Sequence, residues 1–180
     1  RAEIIWEKGT NRSKLFRGEV DKYTWVDCGS SYLPSELVAA FLYAQLEEAD
    51  TINAKRLDIW NSYYEGLQEL SGRNAFRLPY VPTHCGHNAH MFYIILPTSE
   101  ERDNLMCSLK DQGILSVFHY IPLHTSPMGK AVMPSPVHLP VTEDLAHRLL
   151  RLPMYYELMD HNQLLIILSI INISSRFKLQ

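Results

Sequence analysis

Two clusters of polar residues have the types and spacing needed to bind an anion. The first is a basic segment over residues 10–22, which contains Arg12 and Lys14 together with Arg17 and Lys22. Guanidinium and ammonium groups at this density can hold a phosphate through charge-assisted hydrogen bonds. A solvated loop would have the same composition, so both interpretations stay open on the sequence alone.

The second cluster follows an apolar segment over residues 114–120, whose residues suit a strand. It contains His119, Tyr120 and His124, and Pro122 restricts the backbone between them. Titratable side chains at the end of a strand lie where ligands often meet α/β sheets. We therefore expect this segment to border a ligand site.

A third group, His84, Cys85, His87 and His90, contains the imidazole and thiol ligands that zinc prefers. The first two residues are adjacent, and His90 is predicted to lie inside a strand over residues 89–96. Four ligands cannot easily converge from such positions, so the spacing argues against a metal site. The sequence also contains no Ser-His-Asp, Walker or dinucleotide-binding fingerprint.

Length and composition limit the class of protein. A chain of 180 residues with 46% hydrophobic and 21% charged residues is typical of a soluble domain with one core. The net charge of -3 argues against nucleic acid as the main partner. The apolar tail after Asp160 is too short to span a membrane. The three scattered cysteines, Cys28, Cys85 and Cys107, suit a reduced, cytoplasmic chain.

The longest predicted element is one continuous helix over residues 35–70. Ser35 is its N-cap, its apolar residues recur at three-four spacing, and a loop of small residues over 29–34 precedes it. At ~1.5 Å per residue, about 36 residues form a rod of ~54 Å. We expect such a helix to bridge two bodies or to pack against a partner chain. A solvated coiled-coil seam is disfavoured because Asn53 and Arg56 occupy successive seam positions.

The remainder of the chain predicts a compact α/β unit built from alternating strands and helices. The predicted elements are a strand at 89–96, a helix capped by Ser99 that extends to about Gln112, a strand at 114–120, an irregular segment at 125–141, a helix capped by Thr142 that extends to about Arg151, and a final helix after Asp160. Periodicity alone also permits a strand for the apolar tail.

Four segments carry a resemblance to a known family. They are EKGTNRSKLFRGEVDKYTWVDCGSSYLPSELVAAFLYAQLEEAD, NAHMFYIILP, VFHYIPLHTSP and RLLRLP. They resemble the second half of the DegT/DnrJ/EryC1/StrS sugar-nucleotide aminotransferases, which are fold type I enzymes dependent on pyridoxal 5'-phosphate (PLP). The likeness extends from Arg1 to about Leu158.

The resemblance implies an α/β fold in which this chain is the C-terminal small domain, preceded by a long inter-domain helix, while the large domain is absent. Residues 1–34 would be a remnant of the large domain with an active-site loop, 35–70 the connecting helix, and 71–180 the small domain. In the family, the Schiff-base lysine and the aspartate that pairs with the pyridine nitrogen precede the segment that matches Arg1. The chain also lacks an initiator Met, so we expect a fragment with no catalytic residue of its own.

The activity implied by the resemblance is transfer of an amino group from glutamate to C4 of a dTDP-4-keto-6-deoxyhexose. The family's enzymes would work as cytoplasmic homodimers with composite active sites and PLP as cofactor. The alternative is a non-catalytic binding or regulatory module that retains the small-domain fold.

The resemblance also assigns residues. Family members commonly have Gly-Tyr-Asn-Tyr where this chain has Gly29-Ser30-Ser31-Tyr32, and the Asn reaches the cofactor phosphate across the dimer. Ser31 occupies that position, and its hydroxyl or backbone N–H can still serve a phosphate. The implied lining of the nucleotide-sugar pocket is Arg12, Lys14, Tyr32, His119, Tyr120 and His124.

Overall fold

The computed structural model describes residues 1–73, 75–133 and 135–177. The small domain predicted over 71–180 and the irregular segment predicted over 125–141 therefore include positions outside the described residues. The chain forms two compact units, Arg1–Ala49 and Asp50–Gln180, and each is described by itself. The division into three domains over 1–34, 35–70 and 71–180 stays a prediction.

Unit 1 contains two short helices and one longer helix: α1 (Ala2–Trp6), α2 (Arg12–Phe16) and α3 (Glu36–Glu47). The predicted N-cap of α3 is confirmed, because Ser35 Oγ accepts a hydrogen bond from Val38 N at 3.3 Å. This bond satisfies one of the backbone donors left unpaired at a helix start. None of the residues of α3 is buried.

The structure has two helices where the sequence predicts one over 35–70. α3 ends at Glu47, Glu48 has φ -100° and ψ 11°, and α4 (Ala49–Gly72) follows directly. The two helices differ in packing, because α3 buries no residue whereas α4 buries five along one face. A three-four pattern reports which side chains are apolar and does not register a break of a single residue.

The core of unit 2 forms around α4. Tyr63 is fully buried, stacks on Phe92 with ring centroids 5.1 Å apart, and donates a hydrogen bond to Pro153 O at 2.9 Å. On the same helix, a Cβ at Gly66 would lie only 2.9 Å from Ile167 Cδ1. Glycine at this position therefore allows the final helix to approach α4 closely.

A three-stranded sheet in the order β1-β3-β2 completes the unit, with β1 (Tyr93–Ile95), β2 (Val117–Phe118) and β3 (Leu149–Arg151). The central strand β3 is antiparallel to both neighbours, so β1 and β2 run in the same direction. Leu150 is the partner of Ile94 on one side and Phe118 on the other. This arrangement confirms the α/β class, although both predicted strands are shorter than expected.

The helix α5 (Ser99–Asp111) connects β1 to β2. Its N-cap is Thr98 and not the predicted Ser99: Thr98 and Glu101 form a reciprocal capping box. The predicted stop at Gly113 fits the structure, because this residue has a φ of +77°, which favours glycine. The local turn chemistry therefore determines both ends of α5.

The segment between β2 and β3 differs most from expectation. The predicted irregular stretch contains part of a 3₁₀ turn (Leu123–Thr125) and the helix α6 (Pro127–Val132). The next helix, α7 (Pro140–Arg148), begins at Pro140 and not at Thr142, and the three residues predicted as its end form β3. Pairing with two strands and complete burial of Leu150 favour the extended conformation there.

The final helix α8 (Asp160–Phe177) confirms the helical prediction for the tail and rules out the strand alternative. Its apolar face buries Ile166 and Ile170, and α8 packs against α5. None of the helices that the structure describes is both long enough and apolar enough to cross a membrane.

Candidate functional site

A tight turn follows α1 in unit 1. Thr10 N donates to Glu7 O at 3.2 Å, and the two residues between them, Lys8 and Gly9, have φ of +65° and +77°. Positive φ at both central residues is the pattern of a type I′ turn. Glu7 also forms an isolated antiparallel bridge with Ser31. The turn therefore holds the predicted cofactor-binding serine close to the end of α1.

Two glycines permit this close approach. Gly9 O accepts hydrogen bonds from Val26 N at 2.8 Å and Asp27 N at 3.0 Å. A Cβ at Gly9 would lie 1.8 Å from Asp27 O, and a Cβ at Gly29 would lie 2.1 Å from Gly9 N. Side chains at either position would force the backbone segments apart, so both glycines are required by the packing of the loop that carries Ser31.

A cavity of about 380 Å³ lies in unit 1 beside this turn. Its lining combines cationic, hydroxyl and aromatic side chains: Trp6, Glu7, Lys8, Thr10, Arg12, Tyr23, Ser31, Leu33, Pro34 and Ser35. Two predicted site residues, Arg12 and Ser31, therefore line the same cavity. Lys14 and Tyr32 are outside this lining, and Tyr32 is 63% exposed.

The charges of the basic segment are not equivalent. Hydrogen bonds to Glu19 and Glu3 raise the pKa of Arg17 and occupy its guanidinium group. Among the described residues, Arg12 and Lys14 form no ion pair, and the Arg12 guanidinium lies 5.2 Å from the ring centroid of Phe16. The structure therefore leaves Arg12 available to the cavity, whereas Arg17 is already paired.

The unit 1 cavity fits a phosphate group. Lys8 and Arg12 supply positive charge, and Ser31 supplies a hydroxyl. The lining residue Ser35 marks the start of α3, where backbone N–H groups and the helix dipole favour an anion. The acidic lining residue, Glu7, is engaged by Ser13, whose N and Oγ donate to Glu7 Oε2 at 3.0 and 2.6 Å. The phosphate of PLP belongs to the class of anion that this lining suits.

A second cavity, of about 600 Å³, lies in unit 2 between α5, α7 and the segment after β2. Its lining is Arg102, Asp103, Met106, Phe118, His119, Ile121, Pro122, Thr125, Glu143, Ala146 and His147. Of the predicted residues, His119 lines this cavity. Tyr120 is outside the lining, 74% exposed, and the Arg151 guanidinium lies 5.4 Å from its ring centroid.

His124 is buried in the 3₁₀ turn and is not a lining residue of the cavity, but its side chain contacts the lining residue Glu143. Its Nε2 lies 2.9 Å from Glu143 Oε1, while Leu139 N donates to the same carboxylate at 2.8 Å and His138 Nδ1 lies 3.0 Å from Oε2. These groups, His124 first, hold the pKa of Glu143 at about 2. An ionised Glu143 therefore ties the 3₁₀ turn to the start of α7.

The imidazole of His119 lies in the wall of this cavity. Burial and, to a smaller extent, the charge of Arg151 lower its pKa. Its Nδ1 is buried and makes no hydrogen bond within the described part of the chain. An unpaired nitrogen in a cavity wall can serve a ligand.

The sequence did not indicate three lining residues. Lys8 was missed because only its φ reveals the turn, and Arg102 because it reads as an ordinary residue on the surface of α5. Glu143 lies 19 residues from His124, and no local pattern links the two. The sequence signal for Glu143 was its position in the first turn of a helix, which indicates stabilisation by the helix dipole and not a contact with His124.

The histidine-rich group at 84–90 does not assemble into a ligand set. Over residues 1–73, 75–133 and 135–177, no three His, Cys, Asp or Glu side chains are arranged to hold a metal ion. His87 packs edge-on against Trp60 with ring centroids 4.6 Å apart, and Cys85 is exposed.

Comparison with known proteins agrees with the resemblance noted above. The model of the DegT/DnrJ/EryC1/StrS aminotransferase family matches residues 2–170. A relative from Saccharopolyspora erythraea, the erythromycin biosynthesis sensory transduction protein EryC1, is 32% identical over 146 residues, which are 79% of this chain and 38% of the relative.

Solved structures show the same fold. A DegT DnrJ EryC1 StrS aminotransferase from Brucella abortus is 30% identical with a TM-score of 0.73, covering 91% of this chain and 42% of that protein. The aminotransferase TlmJ from Streptoalloteichus hindustanus has a TM-score of 0.82 at 20% identity, covering 98% and 45%, and this likeness shows the fold alone. The chain spans less than half the length of each of these relatives. From the family model and the 30% identical structure, this chain belongs to the DegT/DnrJ/EryC1/StrS aminotransferase family.

Proposed function

We propose that this chain is part of a PLP-dependent sugar-nucleotide aminotransferase and supplies anion-binding residues to its active site. The observation that carries the proposal is the unit 1 cavity, in which Arg12, Ser31 and the start of α3 converge in a member of an aminotransferase family. When bound, PLP supplies the electron sink for amino transfer. The protein binds and orients the reacting groups.

The proposed reaction moves an amino group from glutamate to C4 of a dTDP-4-keto-6-deoxyhexose. Its support is the similarity of the four segments to dTDP-4-amino-4,6-dideoxygalactose transaminase, an enzyme of enterobacterial common antigen synthesis. In this account the chain is the C-terminal part of the enzyme. A preceding large domain supplies the cofactor-binding lysine, and the enzyme is a cytoplasmic homodimer.

The described residues have distinct proposed roles. The Ser31 hydroxyl donates a hydrogen bond to the cofactor phosphate, and Arg12 pairs with a phosphate through charge-assisted hydrogen bonds. His119 offers its unpaired nitrogen to the nucleotide sugar. Three further residues lie outside the two cavity linings: Lys14, Tyr32 and Tyr120. In this proposal they border the nucleotide-sugar pocket of the assembled enzyme. His124 acts through Glu143, which fixes the position of its ring.

The surface of α3 supports the view that further protein packs on unit 1. Leu37 is 84% exposed, Phe41 71% and Tyr43 66%, and no residue of the helix is buried. Large exposed apolar side chains that cluster on one element mark surfaces where another protein packs. The large domain and a second protomer are the proposed occupants.

Amino transfer by the protein extended upstream in its own reading frame tests the proposal. With ¹⁵N-glutamate and dTDP-4-keto-6-deoxyglucose, ¹⁵N should appear at C4 of the sugar in the product NMR spectrum. Ser31→Ala should weaken binding of the cofactor, whereas Ser30→Ala, next to it and outside the cavity lining, should not. No label from the 4-keto sugar, or label that enters only a 3-keto isomer offered in its place, would contradict the proposed reaction.

A second experiment concerns the chain by itself. Borohydride reduction with PLP should leave no specific lysine adduct, because we propose that the lysine belongs to the large domain. A stoichiometric adduct on one lysine would refute that assignment. Retained anion binding without amino transfer by the extended protein would favour the alternative, a non-catalytic binding module.

A further inference from the structure

Lys8 has a backbone conformation that lysine rarely adopts. Its φ of +65° lies in the left-handed region, where Cβ crowds the backbone of every residue except glycine. The first central residue of a type I′ turn is usually Asn or Gly. Lysine therefore occupies this position at a cost to stability. Strain of this kind persists when surrounding contacts enforce it, and it is concentrated at functional sites.

The surrounding contacts are present. Lys8 N donates to Ser30 O at 3.3 Å, and Gly9 N donates to Ile4 O at 2.7 Å. Together with the Glu7 bridge to Ser31, these bonds fix the turn from both sides. The conformation is consequently imposed by backbone hydrogen bonds and would be kept by a residue better suited to it.

Lys8 is a lining residue of the same cavity as Arg12 and Ser31. The acidic group nearest to it along the chain, Glu7, is engaged by Ser13. No ion pair joins Lys8 to a carboxylate in the described ranges. Among the described residues, Lys8 is therefore a lining residue whose positive charge has no ion-pair partner.

We propose that the strained turn holds Lys8 so that its ammonium group binds a phosphate in the unit 1 cavity, between Arg12 and Ser31. The inference rests on the proposed function only for the source of that phosphate, which is either the cofactor phosphomonoester or the diphosphate of the nucleotide sugar. In this proposal Lys8 both binds the phosphate and carries the backbone strain. A substitution that removes the cation and relieves the strain should consequently weaken binding and stabilise the fold together.

Lys8→Asn is that substitution, because Asn suits the turn and carries no charge. At low ionic strength, where exposed charges are least screened, the variant should bind a phosphate probe about fivefold to tenfold more weakly. Its thermal midpoint should rise by about 2–4 °C. The probes are pyridoxamine 5'-phosphate, which forms no Schiff base with lysine, and thymidine diphosphate, followed by calorimetry. The probe that loses more affinity identifies the source of the phosphate.

Two controls isolate the effect. Lys22→Asn removes the same charge from unit 1 outside the cavity lining and should change neither affinity nor midpoint. Pyridoxamine without phosphate should bind wild type and Lys8→Asn equally. Unchanged phosphate affinity in Lys8→Asn, a lowered midpoint, or no binding of either phosphate probe by the wild-type chain would overturn the inference. Amino transfer is measured separately on the extended protein, so failure of the inference is distinguishable from failure of the proposed function.

Discussion

Replacing Gly29 with Ala should loosen the segment that positions Ser31. The new Cβ would lie 2.1 Å from Gly9 N and 2.6 Å from Ile5 O. Ordinary van der Waals contact begins at 3.4 Å, so the difference, 3.4 minus 2.1, requires a shift of 1.3 Å. Such a shift breaks the bond from Ser30 N to Ile5 O at 3.1 Å and the bond from Lys8 N to Ser30 O at 3.3 Å. At ~1 kcal/mol for each bond, the local loss is ~2 kcal/mol.

Amide hydrogen exchange at Ser30 and Lys8 measures this loss directly. A change of ~2 kcal/mol corresponds to exchange about thirtyfold faster in Gly29→Ala. Gly18→Ala is the matched control in the same unit: its φ is +71°, but no atom of the described residues lies within 4 Å of the added Cβ. It should carry backbone strain without altering exchange at the two amides. Equal exchange in Gly29→Ala and wild type would refute the close-packing account of this loop.

Two further predictions concern unit 2. Because His124 holds the pKa of Glu143 at about 2, the ionised carboxylate stabilises the fold above the ordinary glutamate pKa of ~4.3, and this contribution is lost as the pH falls towards 2. Glu143→Gln should therefore be less stable at neutral pH, with a flatter decline on acidification, and a wild-type-like pH profile in urea unfolding would contradict the account. Tyr63→Phe should lose ~1 kcal/mol because Pro153 O loses its donor. Tyr64→Phe removes a hydroxyl that makes no hydrogen bond within the described part of the chain and should change little, so equal losses in the two variants would argue against the role of the Tyr63 hydroxyl.

Local chemistry predicted the elements whose ends depend on neighbouring residues. Ser35 caps α3 because its hydroxyl meets a backbone donor three residues later. Gly113 ends α5 because it adopts a positive φ. The break at Glu48 has no comparable marker, since neither glycine nor proline occurs there.

Non-local pairing explains what the sequence did not predict. Leu149 and Leu150 suit a helix by propensity, and only their pairing with β1 and β2 makes them the central strand. The contact of His124 with Glu143 likewise depends on how the 3₁₀ turn meets α7. Helix and strand propensities and residue spacing describe single segments, so they do not predict which segments contact each other.

The candidate site was predictable in part. Composition indicated a basic segment, and the family resemblance assigned Arg12 and Ser31, which the structure brings to one cavity. Composition alone did not separate Arg12 from Arg17, because the pairing of Arg17 with Glu3 and Glu19 is visible only in the fold. The strain at Lys8 is a backbone angle, and residue type alone does not report it.

The most direct test of the central claim is the cofactor absorption spectrum of the protein extended upstream in its own reading frame, recorded before and after addition of glutamate. Our account predicts that the absorption of lysine-bound PLP converts to that of pyridoxamine 5'-phosphate. A spectrum that glutamate leaves unchanged, or a reading frame without a lysine-bearing domain, would contradict the assignment of this chain to a working aminotransferase.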